Sequence, residues 1–271
     1  MEAEENYIDL NRKLWNDKLD FHLKSEFYDM PAFLAGKSSL SEIEMPHFGD
    51  IVGKKILHLQ CHFGQDSISL SKLGADVIGV DFSDNAINAA QNIASEMKTN
   101  TKFICCDIYD LPKHLDGQFD IVFTSYGTIG WLPDLDKWAK VVSLFLKPGG
   151  KFIFAEFHPV VWMFDYDFKT IAYNYFNTEA IIEETTGTYA DKAAPIKNQN
   201  VNWNHPTSEV LNALIANELR IDRFDEYDYS PYNCFNDMRE AEPKRFRIQS
   251  LGNKIPMVFL ILATKDKPSN D

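Results

Sequence analysis

The chain has 271 residues, which suits one large α/β domain or two small ones. Its composition, 45% apolar and 25% charged, excludes a disordered chain and allows a sizeable core. The formal net charge of −13 repels phosphate backbones, so nucleic acid is not an expected partner. The longest apolar stretches are strand-sized, and the N-terminus lacks the pattern of a signal peptide. We therefore expect a cytoplasmic protein with no membrane span.

The four cysteines do not form a metal-binding pattern. They are Cys61, Cys105, Cys106 and Cys234, and no C-x-x-C pair occurs among them. Buried free thiols are the expected state, and a soft-metal site is the alternative. We expect no metal.

The first half of the chain changes from helical to alternating patterns. Residues 1 to about 36 carry leucines at helical spacing until Pro31 interrupts them. From residue 54 onward, apolar strand patterns alternate with helical ones. The predicted strands are 55–59, 75–81, 101–106, 119–124 and 151–156, and the predicted helices are 66–73, 85–97 and 135–146. This alternation predicts a parallel sheet with helices on both faces.

The alternation stops after the fifth strand. Residues 158–204 are rich in aromatics, Asn and Thr, with possible short antiparallel strands at 171–176, 181–189 and 201–203. Long loops of this kind are usually functional, so we interpret the segment as a lid. Its aromatics could wall an acceptor pocket, or build a local core or a dimer interface.

The end of the chain returns to regular structure. A helix is predicted at 207–219, followed by strands at 222–229 and 256–264. Only a loop separates these two strands, which predicts an antiparallel pair at the sheet edge. The whole chain is thus expected to form one domain. Its parts are an N-terminal helical cap (1–49), a core (50–157), the lid insertion (158–204) and a C-terminal helix and strand pair (205–271).

Polar residues and glycines stand at the predicted strand ends, where ligands bind in such sheets. Gly64 lies in the turn after the first strand, and Asp81 follows 17 residues later, near the spacing of a ribose-binding acid. Asp107 ends the third strand and could accept a hydrogen bond from an adenine amine. Helix capping is the alternative role for both acids, and Ser83 can cap the helix that follows the second strand. Small polar residues and aromatics after the fourth strand suit a surface where two ligands meet.

Several of these segments resemble the successive motifs of class I S-adenosylmethionine-dependent methyltransferases, over roughly residues 50–160. The segments are 79–83 (GVDFS), 106–108 (CDI), 119–122 (FDIV) and 146–152 (LKPGGKF). The whole chain also resembles bacterial methyltransferase-domain proteins of undefined substrate, through 57–66 (LHLQCHFGQD), 156–159 (EFHP) and 226–232 (EYDYSPY). The resemblance implies a Rossmann-like, seven-stranded, mostly parallel sheet that binds S-adenosylmethionine and methylates a small-molecule acceptor.

Carried onto this sequence, the resemblance gives a set of predicted cofactor-binding residues. They are Gln60, Cys61, His62, Gly64, Asp81, Phe82, Ser83, Asp107, Ile108, Ser125 and Tyr126.

The first motif departs from the family pattern. His58 stands where an acid is usual, and Gln60 and His62 replace two glycines. Side chains at positions 60 and 62 could therefore bind the methionyl group of the cofactor or close over it.

Two histidines are candidate bases for the acceptor. His158 follows the fifth strand directly, and His22 lies on the N-terminal helix. Backbone hydrogen bonding for His158 and packing for His22 are the alternatives. A catalytically silent cofactor-binding module and a nicotinamide-dependent oxidoreductase are alternative functions, the latter disfavoured because G-x-G-x-x-G is missing. The chain is expected to be a monomer or a homodimer.

Overall fold

A computed structural model describes residues 6–177 and 179–267. The strands are β1 (Lys55–Leu59), β2 (Asp76–Asp81), β3 (Lys102–Cys105), β4 (Phe119–Ser125), β5 (Leu146–Phe157), β6 (Ile181–Thr186), β7 (Lys197–Asn202), β8 (Leu219–Tyr227), β9 (Met238–Glu242), β10 (Arg245–Ile248) and β11 (Val258–Lys265). The α-helices are α1 (Tyr7–Lys24), α2 (Met30–Leu34), α3 (Met45–Phe48), α4 (Gln65–Lys72), α5 (Asp84–Glu96), α6 (Leu135–Phe145) and α7 (Thr207–Ala216). Short 3₁₀ helices span Ile108–Lys113, Ile129–Trp131 and Val161–Met163.

Seven strands form the central sheet in the order β3-β2-β1-β4-β5-β11-β8. The first five strands pair in parallel, and β11 pairs antiparallel with both β5 and β8. The predicted α/β fold with a late antiparallel strand pair at its edge is confirmed. The carboxyl ends of β1, β2, β4 and β5 consequently meet at one edge of the sheet.

Apolar layers on the two faces hold the sheet between its helices. On β5, the side chains of Phe152 and Phe154 join one cluster, while those of Ile153 and Ala155 join the other. Alternate side chains of a strand point to opposite faces, so both faces of this strand are buried. This explains the continuous apolar run that predicted the strand.

Local signals explain the helix boundaries near the site. The Ser83 hydroxyl accepts from the Ala86 amide at 3.1 Å and caps α5, as the sequence indicates. Pro31 does not interrupt a helix as expected but lies at the start of α2. Proline is tolerated there because the first helical amides need no partner within the helix.

Two other expectations for the chain connections are wrong. Residues 171–176 form no strand, since only an isolated bridge joins Ile171 to Phe164. The connection between β8 and β11 is not a plain loop, because it contains the antiparallel hairpin of β9 and β10. The hairpin was not predicted because its charged and aromatic residues do not alternate clearly between polar and apolar. Within the described ranges, no helix is long and apolar enough to span a membrane.

Candidate functional site

A cavity of about 1220 Å³ lies at the carboxyl ends of β1, β2, β4 and β5. Helix α1 and the segment between β5 and α7 cover it. Asn11 fixes α1 to this segment: its amide donates to the Val201 carbonyl at 2.8 Å and accepts from the Val201 amide at 3.0 Å. The predicted site residues that line the cavity are Gln60, Cys61, His62, Gly64, Asp81, Phe82, Ser125 and Tyr126.

The turn between β1 and α4 has the left-handed backbone that usually requires glycine, although Gln60 and His62 replace two of the family's glycines. Gln60, His62 and Gly64 have φ angles of 55°, 52° and 79°. Non-glycine residues adopt this left-handed conformation at a cost of about 1 kcal/mol or more each. At Gly64 a Cβ atom would also lie 2.6 Å from the Phe103 ring. The turn therefore has the shape that glycines usually allow, and strain remains at positions 60 and 62.

The side chains that replace the glycines tie the turn to its surroundings. Gln60 Nε2 donates to the Thr128 carbonyl at 2.9 Å, across the ends of β1 and β4. His62 Nε2 lies 2.9 Å from His22 Nδ1 on α1. Gln60 Oε1 is buried with no hydrogen-bond partner among the described residues. These contacts close the turn against α1 and the β4 loop, and leave one acceptor atom for a ligand.

His58, at the position of the usual acid, is buried and neutral. Its Nδ1 lies 2.8 Å from the Ser67 hydroxyl, and its ring stacks on Phe123 with centroids 4.7 Å apart. Burial lowers the pKa of His58 to about 3. It therefore supplies no charge at neutral pH, unlike the carboxylate it replaces.

Asp81 links the second strand to the first turn. Its two carboxylate oxygens accept from the amides of His62, at 2.8 Å, and Ser83, at 2.9 Å. Burial raises its pKa to about 6. Each oxygen retains a second lone pair, so the carboxylate can still accept from ribose hydroxyls. Capping of α5 falls to Ser83 instead, whose hydroxyl also donates to Asn16 and does not line the cavity.

The predicted adenine contacts lie outside the cavity. Asp107 accepts from the Tyr109 amide at 2.9 Å and caps a 3₁₀ helix, and Ile108 is buried in the apolar core. Neither residue lines the cavity. Helix α1 approaches this end of the sheet, since Arg12 Nε donates to the Phe82 carbonyl at 3.2 Å. The capping alternative therefore describes the role of Asp107 in this structure.

Neither candidate histidine lines the cavity in this structure. His158 Nε2 lies 3.0 Å from Glu226 Oε1 on β8, and its side chain does not reach the cavity. His22 is fully buried against His62, and burial and the His62 ring hold its pKa far below its usual value. The position of His158 at a strand end and of His22 on α1 could not show which way their side chains point.

Two carboxyl groups that the sequence did not single out contact residues at and just after the end of β4. Asp66 lines the cavity and accepts from Ser125 Oγ at 3.2 Å and from Ser39 Oγ at 2.5 Å. Buried Glu156 accepts from the amides of Thr128 at 2.7 Å and Ile129 at 3.2 Å, and from that of Gly127. Burial raises the pKa of both carboxyl groups. Their sequence signal was that Asp66 ends the 57–66 segment and Glu156 begins the 156–159 segment, both of which carry the family resemblance.

The described residues contain no group of three or more His, Cys, Asp or Glu that could hold a metal ion. The four thiols are unpaired, and Cys105 is exposed although a buried position was expected.

Residues 56–150 match the family model of a methyltransferase domain. The ubiquinone biosynthesis O-methyltransferase of Coxiella burnetii is 37% identical over 103 residues, which are 38% of this chain and 43% of that protein. The enzyme of the same name from Acinetobacter baylyi is 31% identical over 110 residues, 40% of this chain and 46% of that protein. The chain thus matches less than half the length of these curated relatives.

Solved structures show the same fold over most of the chain. A S-adenosylmethionine-dependent methyltransferase from Clostridium acetobutylicum aligns with a TM-score of 0.57 and 18% identity, covering 92% of this chain and 96% of that one. Geranyl diphosphate C-methyltransferase from Streptomyces coelicolor aligns with a TM-score of 0.56 and 16% identity, covering 89% of this chain and 85% of that one. Residues 56–150 thus match a methyltransferase domain, and the chain has the fold of S-adenosylmethionine-dependent methyltransferases of known structure.

Proposed function

We propose that the protein is a S-adenosylmethionine-dependent methyltransferase that acts on a small-molecule acceptor. The observation that carries this proposal is that the β1–α4 turn, Asp81, Ser125 and Tyr126 meet in one cavity. Its volume of about 1220 Å³ exceeds that of a usual single-ligand pocket, so it has room for a cofactor and a second small molecule. The cover formed by α1 and residues 158–204 favours a small acceptor over a macromolecule.

The donor atoms present fit the cofactor. Asp81 would accept from the ribose hydroxyls, and the unpaired Gln60 Oε1 would accept from the methionyl ammonium. The cofactor supplies a methyl group that its sulfonium already activates. The protein therefore has mainly to hold the two ligands in line, exclude water and accept a proton where the acceptor loses one.

We infer that Asp66 is the proton acceptor, in place of the two histidines. It is a carboxylate on the cavity wall and contacts Ser125, at the β4 end where the two ligands are expected to meet. Its raised pKa brings it nearer to neutral pH, which suits a general base. Asp107 and Ile108 remain proposed adenine contacts only if α1 moves away from the end of β2.

The acceptor is proposed to be an aromatic or apolar small molecule with an oxygen nucleophile. The curated relatives are named as O-methyltransferases of ubiquinone biosynthesis. Aromatic side chains supply much of the cavity wall: Trp15, Trp131, Phe157, Trp162, Tyr189 and Tyr232. Such walls bind flat apolar ligands well. The net charge of −13 opposes a nucleic-acid acceptor.

The proposal is tested with a labelled methyl donor and a panel of small metabolites, together with calorimetry of S-adenosylhomocysteine and NAD. We expect S-adenosylhomocysteine to bind and at least one metabolite to become labelled. Binding without any turnover would favour the silent cofactor-binding module. Tight NAD binding without S-adenosylhomocysteine binding would end the methyltransferase proposal.

A further inference from the structure

Lys18 is a buried cation on the inner face of α1, next to the cavity. Its side chain lines the cavity, yet the residue is only 8% exposed. Lysine is almost never buried to this degree unless an anion pairs with it. The burial of Lys18 therefore calls for a partner.

The described residues do not supply one. Within residues 6–177 and 179–267, no carboxylate lies close enough to Lys18 Nζ to form an ion pair. The group that faces the ammonium is the Trp15 ring, whose centroid lies 5.1 Å away. Burial lowers the pKa of Lys18 to about 8, with no opposing contribution from an acid. At neutral pH the ammonium is thus still charged, and no acid among the described residues balances its charge.

The surroundings of Lys18 favour an anion at this end of the cavity. Burial keeps His22 and His62 neutral, and the Lys18 charge contributes to the lowered pKa of both. The His62 side chain belongs to the strained turn between β1 and α4. A ligand placed along that turn would bring its anionic group towards Lys18.

We propose that Lys18 binds the carboxylate of a ligand in the cavity. A single ammonium beside neutral rings matches one negative charge better than a phosphate, which usually requires several donors. The carboxylate has two possible sources, the methionyl tail of the cofactor and an acidic acceptor. The first source rests on the function proposed above, whereas the second does not.

The test compares Lys18→Met with Lys24→Met, an exposed lysine on the same helix, as the control for lost charge. Binding is measured for S-adenosylhomocysteine, for S-adenosyl-3-thiopropylamine, which lacks only the carboxylate, and for benzoate as a probe of an acidic acceptor. We expect Lys18→Met to weaken the binding of S-adenosylhomocysteine by about tenfold or more. The affinity for the decarboxylated analogue should stay within about twofold of that of the unmodified protein. Loss of benzoate binding alone would assign the carboxylate to the acceptor.

Unchanged binding of all three probes by Lys18→Met, or no binding of any probe by the unmodified protein, would overturn the proposal. Failure of S-adenosylhomocysteine alone to bind the unmodified protein would instead refute the proposed function, and the benzoate comparison would still test Lys18.

Lys18→Met should fold, because methionine removes an unpaired buried charge at similar volume. Its melting temperature without ligand should therefore rise, whereas a structural role for the ammonium would lower it. Lys18→Arg, which keeps the charge, should retain part of the carboxylate preference.

Discussion

Restoring the two missing glycines gives a sharp test of the β1–α4 turn. Gln60→Gly with His62→Gly relieves two left-handed conformations, each costing about 1 kcal/mol. The same change removes the contacts to Thr128 and His22, each contributing about 1 kcal/mol. These effects cancel, so the free energy of unfolding in urea should change by less than about 1 kcal/mol.

Ligand binding should change much more than stability. Without Gln60 Oε1, the methionyl ammonium loses a charge-assisted hydrogen bond of about 1.5–3 kcal/mol. Calorimetry should then show S-adenosylhomocysteine binding roughly 10- to 150-fold weaker. Adenosine has no amino-acid tail and should bind as before.

Lys98→Gly is the matched control for this experiment. Lys98 also has a left-handed backbone, with a φ of 55°, but it is exposed after the end of α5. Its replacement should stabilise the protein by about 1 kcal/mol and leave both affinities unchanged. Equal losses for adenosine and S-adenosylhomocysteine in the double variant would indicate general damage to the turn. Unchanged affinity for both would mean that positions 60 and 62 have no role in binding the tail.

Four further predictions address the carboxyl groups of the site. Asp81→Ala should weaken adenosine binding by about 2 kcal/mol or more in calorimetry, because two ribose hydroxyls lose a charged acceptor; an unchanged affinity would leave Asp81 a purely structural role. Because burial raises the pKa of Asp81 to about 6, adenosine affinity of the unmodified protein should be constant above that pH and fall below it, a dependence that Asp81→Asn should abolish. Asp66→Asn should stop methyl transfer yet leave S-adenosylhomocysteine binding within about threefold, and a large loss of binding would instead assign Asp66 to the cofactor. Glu156→Gln should lower the free energy of unfolding by about 2 kcal/mol or more, measured in urea, because its new amide faces backbone donors of the β4 loop.

Local sequence patterns determined most of the fold. The strands from β1 to β5 and the intervening helices begin and end within a few residues of their predicted positions, apart from the longer β5. Ser83 was identified as a cap from the sequence. These features depend on side-chain period, turn residues and capping, which act over a few positions along the chain. The rule that ligands bind at the carboxyl ends of parallel strands gave the edge of the sheet at which the site was expected.

Tertiary packing decided which side chains of that edge reach the cavity. A strand-end position fixes the place of a residue along the sheet, but the direction of its side chain depends on neighbours far away in sequence. His158 turns towards Glu226 on β8, and His22 is sealed against the β1–α4 turn. Asp66 reaches the cavity because Ser39 and Ser125, from distant segments, approach it. Folding buries Lys18 with no carboxylate partner among the described residues. No spacing within the sequence of α1 indicates this, since the cavity is formed by segments that meet only in the folded protein.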